Sequence, residues 1–527
     1  MSILIGPVVY PVANENGGNG EAQPGPDVKT IRLSPTLTPG FTHAPNLTEE
    51  SAKKASELLT KNHDLYHTRF NGGLHNHIVH HLLALWALGA SPQEIQDMWD
   101  YNTSYQAPLE PVVADLIDLR DPVRFRECLG KNECYYDYLR FFEDEIAAKG
   151  VPAVVNEYVF KRDELADEIF CRMFTDLVHP IIHLGCALEF HQPSLVAEAL
   201  SAACVHGDWP KHVLLPTEEY IRTTTRSSGE ALPPAAPLLD VFAALAADPA
   251  ISKGVRHSDP FNKIPDGLLK RVSGAQLAPY LARFRVAAAA AAAAGDGDGD
   301  GDDDDDDGSA QQPPSPEALR RAMVDMMQTV AYVTGAAQRP GKREAMDFVL
   351  LHSVTLSVFY PAFLAVDWIA DADKARLIEA AARVGAVMYA ACACPPLYPR
   401  RVVEYAARRP ADGWPGLFRR AAVYRDEGHV AKAVRALFAL DQLGDDPLPG
   451  IPLSGRADFL KIAHMTVDSA ESAFEFDDGH HTMPDAVAKA MTDQVGQGGE
   501  MVAQNQMRWV FYGGLENAWD WVPDVKA

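Results

Sequence analysis

From Asn46 onward, apolar residues recur with a helical period and almost never with the two-residue alternation of a strand. NLTEESAKKASELLTKNHDLYH opens with Asn46 or Thr48 placed to cap and with Glu49 and Glu50 in the first turn, where carboxylates meet the positive end of the helix dipole. In SPQEIQDMWDYNTSY, Ser91 caps and Pro92 occupies the first turn; ECYYDYLRFFEDEIAAKG stops at Gly150 after Lys149. Helical periodicity continues through PEALRRAMVDMMQTVAYVTG, EAMDFVLLHSVTLSVFYPAFLAVDWI, DKARLIEAAARVGAVMYAACA and HVAKAVRALFAL to DAVAKAMTDQVGQGGEMVAQNQMRWVFYGG. The pattern predicts an all-α protein with one large, bundle-like multi-helix domain over residues 46–527.

Two stretches break the pattern. Residues 1–45, rich in Gly, Pro and Asn, read as an arm that lies over the body or stays mobile and carries no chemistry. Residues 287–316 join an alanine tract, a Gly-Asp repeat, an aspartate run and a Pro-rich exit. Like charge and flexible glycine predict a disordered low-complexity insertion. The segments on both sides are equally helical, so the insertion interrupts one domain rather than dividing two.

Composition narrows the class. The chain has 47 basic and 72 acidic side chains and a net charge of −25; nine acidic residues lie in Asp296–Asp307, so the remainder is still at −16. That balance excludes a nucleic-acid binder working through a basic surface. At 47% hydrophobic and 23% charged residues, the chain reads as a globular enzyme rather than a disordered or fibrous protein. No run is seen to approach about 18 apolar residues, so no membrane span is expected. The start, MSILIGPVVYPVANENGG, has no basic region before its short apolar stretch, so secretion is not expected. The seven cysteines include one close pair, Cys392 and Cys394, without a second pair to complete a zinc site, and predict free thiols in a reducing, cytoplasmic setting. Oligomeric state is left open.

No G-x-G-x-x-G turn follows a strand, and neither a phosphate loop nor a G-x-S-x-G elbow is present, so no flavin is expected. The chemistry lies in the histidines. HNHIVHHLLALWALGA places His75, His77, His80 and His81 at the opening of an otherwise apolar helix, with His77 sharing a face with His80 and His81. DLVHPIIHLGCALEFHQPS carries His179, His183, Glu189 and His191; Pro180 favours a helix start or kink between the first two, so one of them is expected to be a ligand rather than both. Glu189 reads either as a carboxylate orienting a ligand or as an ordinary N–H acceptor. His352 stands among aliphatic residues in LLHSVTLSVF, and His429 and Lys432 share a face in DEGHVAKAVRAL. Each has an ordinary reading: a histidine bonded to a carbonyl at a helix start, a satisfied core histidine, a surface histidine beside a solvated lysine. Together, four helices that each present a histidine within an apolar stretch make what a metal site inside a helical bundle requires.

HNHIVHHLLALWALGAS, HPIIHLGCALEF, LLHSVT, DEGHVAKAVRAL and the closing NQMRWVFYGGLENAW together resemble the questin oxidase-like family of fungal polyketide tailoring enzymes, in order from about His67 to Trp519. The resemblance implies oxidation of an anthraquinone or related polycyclic aromatic polyketide, by Baeyer-Villiger oxygen insertion or ring cleavage, with O2 as co-substrate and NADPH as reductant. It further implies a non-haem iron site at His77, His179, His352 and His429 with Lys432 beside them. An ammonium cannot bind a cation, so Lys432 would serve as neutral amine or as a carbamate formed with carbon dioxide. The acidic insertion lies outside every matching motif.

The reading is thus an all-α oxygenase with buried iron(II), acting on a small aromatic polyketide. Imidazole suits iron, zinc and copper alike, so iron follows from the resemblance and the oxygen chemistry rather than from ligand type. His80, His81 and His183, where not ligands, are the candidates for proton transfer. The rivals are a metal-free NADPH-dependent oxidase, a helical metal-dependent phosphohydrolase built on the His63-Asp64 pair, and a non-enzymatic helical scaffold with solvent-facing histidines.

Overall fold

The structure is a computed structural model that describes residues 25–70, 74–111, 117–226, 231–286, 313–444, 448, 450–473 and 508–525. The regular structure of the described residues is helical apart from a two-stranded antiparallel hairpin, Arg69–Phe70 with Leu74–His75, and isolated bridges. Capping proceeds as the side chains dictate. Thr48 accepts from the Ser51 amide, Ser91 and Glu94 close a reciprocal capping box, and Asp347 accepts from the Val349 and Leu350 amides.

Four short helices position the site: Ile78–Ala87, Thr175–Glu189, Phe348–Ser357 and His429–Leu443. Every residue of Ile78–Ala87 is buried, as expected of a helix apolar on all sides. These four pack in a closed circuit, each against the next, and around them lie Glu49–Leu65, Tyr135–Lys149, Pro193–Val205 and Arg456–Ser472. Pro180 acts as its sequence position predicts. Asp176, Leu177 and Val178 adopt left-handed φ of 46°, 56° and 61°, and regular helix begins only at His179 and Pro180.

The structure refines several boundaries. From residue 25 onward the N-terminal arm lies against the body, with Ile31 and Leu33 in the main core; residues 1–24 are outside the described residues. So are residues 287–312, where most of the low-complexity insertion falls; the next helix opens at Pro316 behind the Ser315 cap. The helical reading of residues 485–514 fails over Arg508–Gly514, which form turns and a bridge from Val510 to Asp347; residues 485–507 are outside the described residues. Among the described residues one stretch, Phe348–Ala365, is long and apolar enough to cross a membrane, at a mean hydropathy of 1.7, contrary to the expectation that none is. It is 94% buried inside the protein and divided into two helices before Tyr360, so its apolarity serves the core. All seven cysteines are free and buried.

Candidate metal centre

His77 is the residue before the Ile78–Ala87 helix, His179 stands at the true start of its helix, His352 is in the first half of Phe348–Ser357, and His429 opens its own helix. Packing the four helices in a circuit brings the four rings into a circuit too. Successive centroid separations are 4.9 Å from His77 to His179, 5.0 Å to His352, 5.2 Å to His429 and 4.8 Å back to His77.

The hydrogen bonds fix where the ring protons are. His77 Nδ1 donates to Glu427 Oε2 at 3.0 Å, His179 Nδ1 donates to the Asp176 carbonyl, and His352 Nδ1 donates to the Phe348 carbonyl at 2.6 Å. Carboxylates and carbonyls only accept, so each Nδ1 carries the proton and each neutral ring offers a bare Nε2. His77 Nε2 and His179 Nε2 face one another at 2.7 Å. Two lone pairs at that distance repel unless both point at a shared cation. His352 Nε2, His429 Nε2 and Lys432 Nζ are buried with no protein partner. Burial holds His77, His179 and His429 well below the usual imidazole range and His352 at about 3, with the Lys432 charge adding to it, so a proton is a poor candidate for that cation. A divalent ion fits this donor set.

Lys432 is 6% exposed, so the solvated-lysine reading does not hold. Burial lowers its ammonium to about 8 despite the nearby Asp426 and Glu427, and its charge bears on all six imidazoles of His77, His80, His81, His179, His352 and His429. Asp426 caps the helix carrying both residues, its carboxylate accepting from the Gly428 and Val430 amides.

His183 turns away from the ring. Its Nδ1 lies 3.2 Å from His80 Nε2, and its Nε2 lies 2.9 Å from Glu198 Oε2. Glu198 Oε1 accepts from His63 Nδ1 at 2.6 Å, and Glu143 Oε1 accepts from His63 Nε2 at 2.9 Å. Glu143 in turn meets Arg140 at 2.9 Å and the half-exposed Lys29, which gives the N-terminal arm a part in this buried chain. Burial pushes the His63 imidazolium down, but its two carboxylate partners outweigh that and raise it to about 10. Burial likewise opposes the Glu198 carboxylate, and the bonds to His183 and His63 lower it to about 2. His81 packs against Gly428 with both ring nitrogens lacking protein partners, and burial lowers it to about 4.

Glu189 accepts from the Phe41 amide at 2.7 Å and pairs with Arg435, so it is an N–H acceptor and orients no histidine. The HD reading of His63-Asp64 fails on geometry: His63 is buried between two glutamates and Asp64 is exposed. Sequence reasoning missed Glu427, Glu198, Glu143 and Asp176. Glu427 stands two residues before His429 and was open to inspection; Glu198 and Glu143 lie on other helices and leave no local signal. A cavity of 370 Å³ lined by Arg343, Arg401, Arg408 and Asp468 shares no residue with the histidine ring.

Known proteins carry the same chain plan. Oxidoreductase AflY of Aspergillus parasiticus is 39% identical over 506 residues, covering 94% of each chain. Questin oxidase of Aspergillus fumigatus is 34% identical, covering 84% of this chain and 93% of its own. Baeyer-Villiger oxidase ptaJ of Pestalotiopsis fici is 33% identical, covering 80% and 88%. The model of the questin oxidase-like family matches residues 74–437, a span that contains His77, His179, His352, His429 and Lys432, and the chain belongs to that family.

Proposed function

We propose that the protein is a non-haem iron oxygenase that inserts oxygen into, or cleaves, a ring of an anthraquinone or related polycyclic aromatic polyketide. The observation that carries this reading is the circuit of four buried imidazoles: His77, His179 and His352 commit Nδ1–H to outer acceptors, His77 and His179 set their Nε2 atoms 2.7 Å apart, and Lys432 is buried nearby without a protein partner. The names of the relatives, questin oxidase and Baeyer-Villiger oxidase, support the reaction and substrate class. His77, His179, His352 and His429 would hold the ion through Nε2. When bound, iron(II) would supply the activation of dioxygen, which no side chain can provide.

Lys432 would join as a carbamate. Its neutral Nζ attacks carbon dioxide and releases one proton, giving an anionic oxygen donor that offsets part of the divalent charge. His80 is placed for proton transfer: its Nε2 lies 3.2 Å from His183 Nδ1 and its buried Nδ1 has no protein partner, so Nδ1 would take the proton of a substrate hydroxyl. NADPH would supply the two electrons that let one atom of O2 enter the ring while the other leaves as water.

The test is elemental analysis and an electronic spectrum of anaerobically purified protein, followed by turnover of an anthraquinone under labelled O2 with and without NADPH. Iron bound to the chain and one labelled oxygen in the product are expected. Undiminished turnover after chelation of all metal would overturn the iron reading and leave the metal-free oxidase.

A further inference from the structure

We propose that His75, Asp176 and His206 form a second binding site, for a divalent first-row transition ion, beside the histidine ring and open to solvent on one side. Their donor atoms all lie within 4.8 Å of one another. They come from three places in the fold: the Leu74–His75 strand, the irregular turn before His179, and the residue that ends the Pro193–Val205 helix. His206 is fully buried and donates Nδ1–H to the Ala202 carbonyl, so it aims a bare Nε2 at His75 Nε2, 2.6 Å away. Asp176 Oδ2 lies 3.9 Å from the same His206 nitrogen. Two imidazoles and one carboxylate with further positions left open form the donor set typical of non-haem iron(II).

The backbone supplies an independent observation. Asp176, Leu177 and Val178 are three successive non-glycine residues in the left-handed region, one of them β-branched, a conformation that persists only where its surroundings enforce it. That run lets Asp176 serve two places at once. Its carbonyl accepts from His179 Nδ1, and its carboxylate faces His206. The rings of His75 and His179 stack at 3.8 Å with an interplanar angle of 1°, so the two sites share a wall. His75 and Asp176 are partly exposed, whereas every histidine of the ring is buried, so the second site exchanges its ion more readily.

In this structure the carboxylate has a competing cation, since Arg69 Nη2 lies 3.6 Å from Asp176 Oδ2. Without an ion, His75 donates Nε2–H to His206; binding requires that proton to move to His75 Nδ1 and Arg69 to yield its place.

The test is anaerobic titration of the full chain with iron(II), followed by removal of free ion and measurement of iron per chain. About two ions are expected for the wild type, and about one for Asp176→Asn and for the milder His75→Gln, with His352→Ala losing the other. Arg69→Met should hold the second ion more tightly. One ion in the wild type, kept in Asp176→Asn and His75→Gln and lost in His352→Ala, would overturn the second site and leave the ring intact. One ion lost in Asp176→Asn and kept in His352→Ala would overturn the ring instead.

Discussion

His77 and His179 direct their Nε2 atoms at each other across 2.7 Å, and each is fixed in that tautomer from behind, by the Glu427 carboxylate and by the Asp176 carbonyl. The outer acceptor decides whether the inner nitrogen is a donor to a cation. Glu427→Ala should therefore weaken iron binding about 10- to 100-fold, the usual loss when a histidine ligand loses the partner that orients it. Iron affinity measured by competition with a chelator checks this; unchanged affinity would free Glu427 of that role.

Lys432 offers a sharper division. As a carbamate it would supply the proposed centre with an anionic oxygen, so Lys432→Ala should lower iron occupancy and turnover together, and Lys432→Glu should recover part of the binding with a shorter side chain. Iron per chain in the two variants is the measurement, with a 13C carbamate signal in protein prepared under labelled carbon dioxide as a second readout. Unchanged occupancy in both variants would remove Lys432 from the centre.

The fold class and the helices that bear the ring were legible because their signals are local. Ser91-Pro92, Lys149-Gly150 and Pro180 mark helix ends within a few residues of sequence, and an imidazole inside an apolar run stands out against its neighbours. Pairings between helices left no such mark. Nothing near His63 predicts Glu143 and Glu198, which lie on other helices, and nothing in DLVHPIIH says that Asp176 would hold His179 by its carbonyl, because that bond needs three successive left-handed residues that the sequence does not announce. The choice between His179 and His183 stayed open for the same reason: both rings project from one helix, and only the position of Glu198 turns one of them away.

The Glu143–His63–Glu198 network predicts a pH dependence of stability. His63 titrates near 10 when folded against an ordinary 6.5, so its contribution is complete below pH 6.5 and is lost progressively as pH rises toward 10. The slope due to His63 itself should approach a loss of about 1.4 kcal/mol per pH unit between pH 6.5 and 8. The buried histidines of the ring, lowered when folded, contribute with the opposite sign near pH 6.5, so the His63 part is read as the difference between wild type and variant. Denaturant unfolding of wild type and His63→Gln across that window checks the expectation. The advantage of wild type over variant should shrink as pH rises, and a difference that does not change with pH would show that His63 is neutral in the folded protein.

Gly428 tests how closely the centre is packed. It holds φ at 85°, which side chains with a β-carbon rarely adopt, and a Cβ added there would lie 2.5 Å from His81 Cγ. It also directly precedes His429, and its amide donates to Asp426, which caps the helix carrying Lys432. Gly428→Ala therefore combines backbone strain with a clash against a buried ring and should cost about 2–4 kcal/mol of stability. The shift should spread to the site, because relief of the clash moves either His81 or the turn that sets His429. Thermal unfolding gives the first quantity and iron affinity the second. A stable variant with weakened iron binding would mean that the turn moved. An unstable one with full affinity would mean that His81 moved, and no change in either would show that the Gly428 turn is looser than its geometry implies.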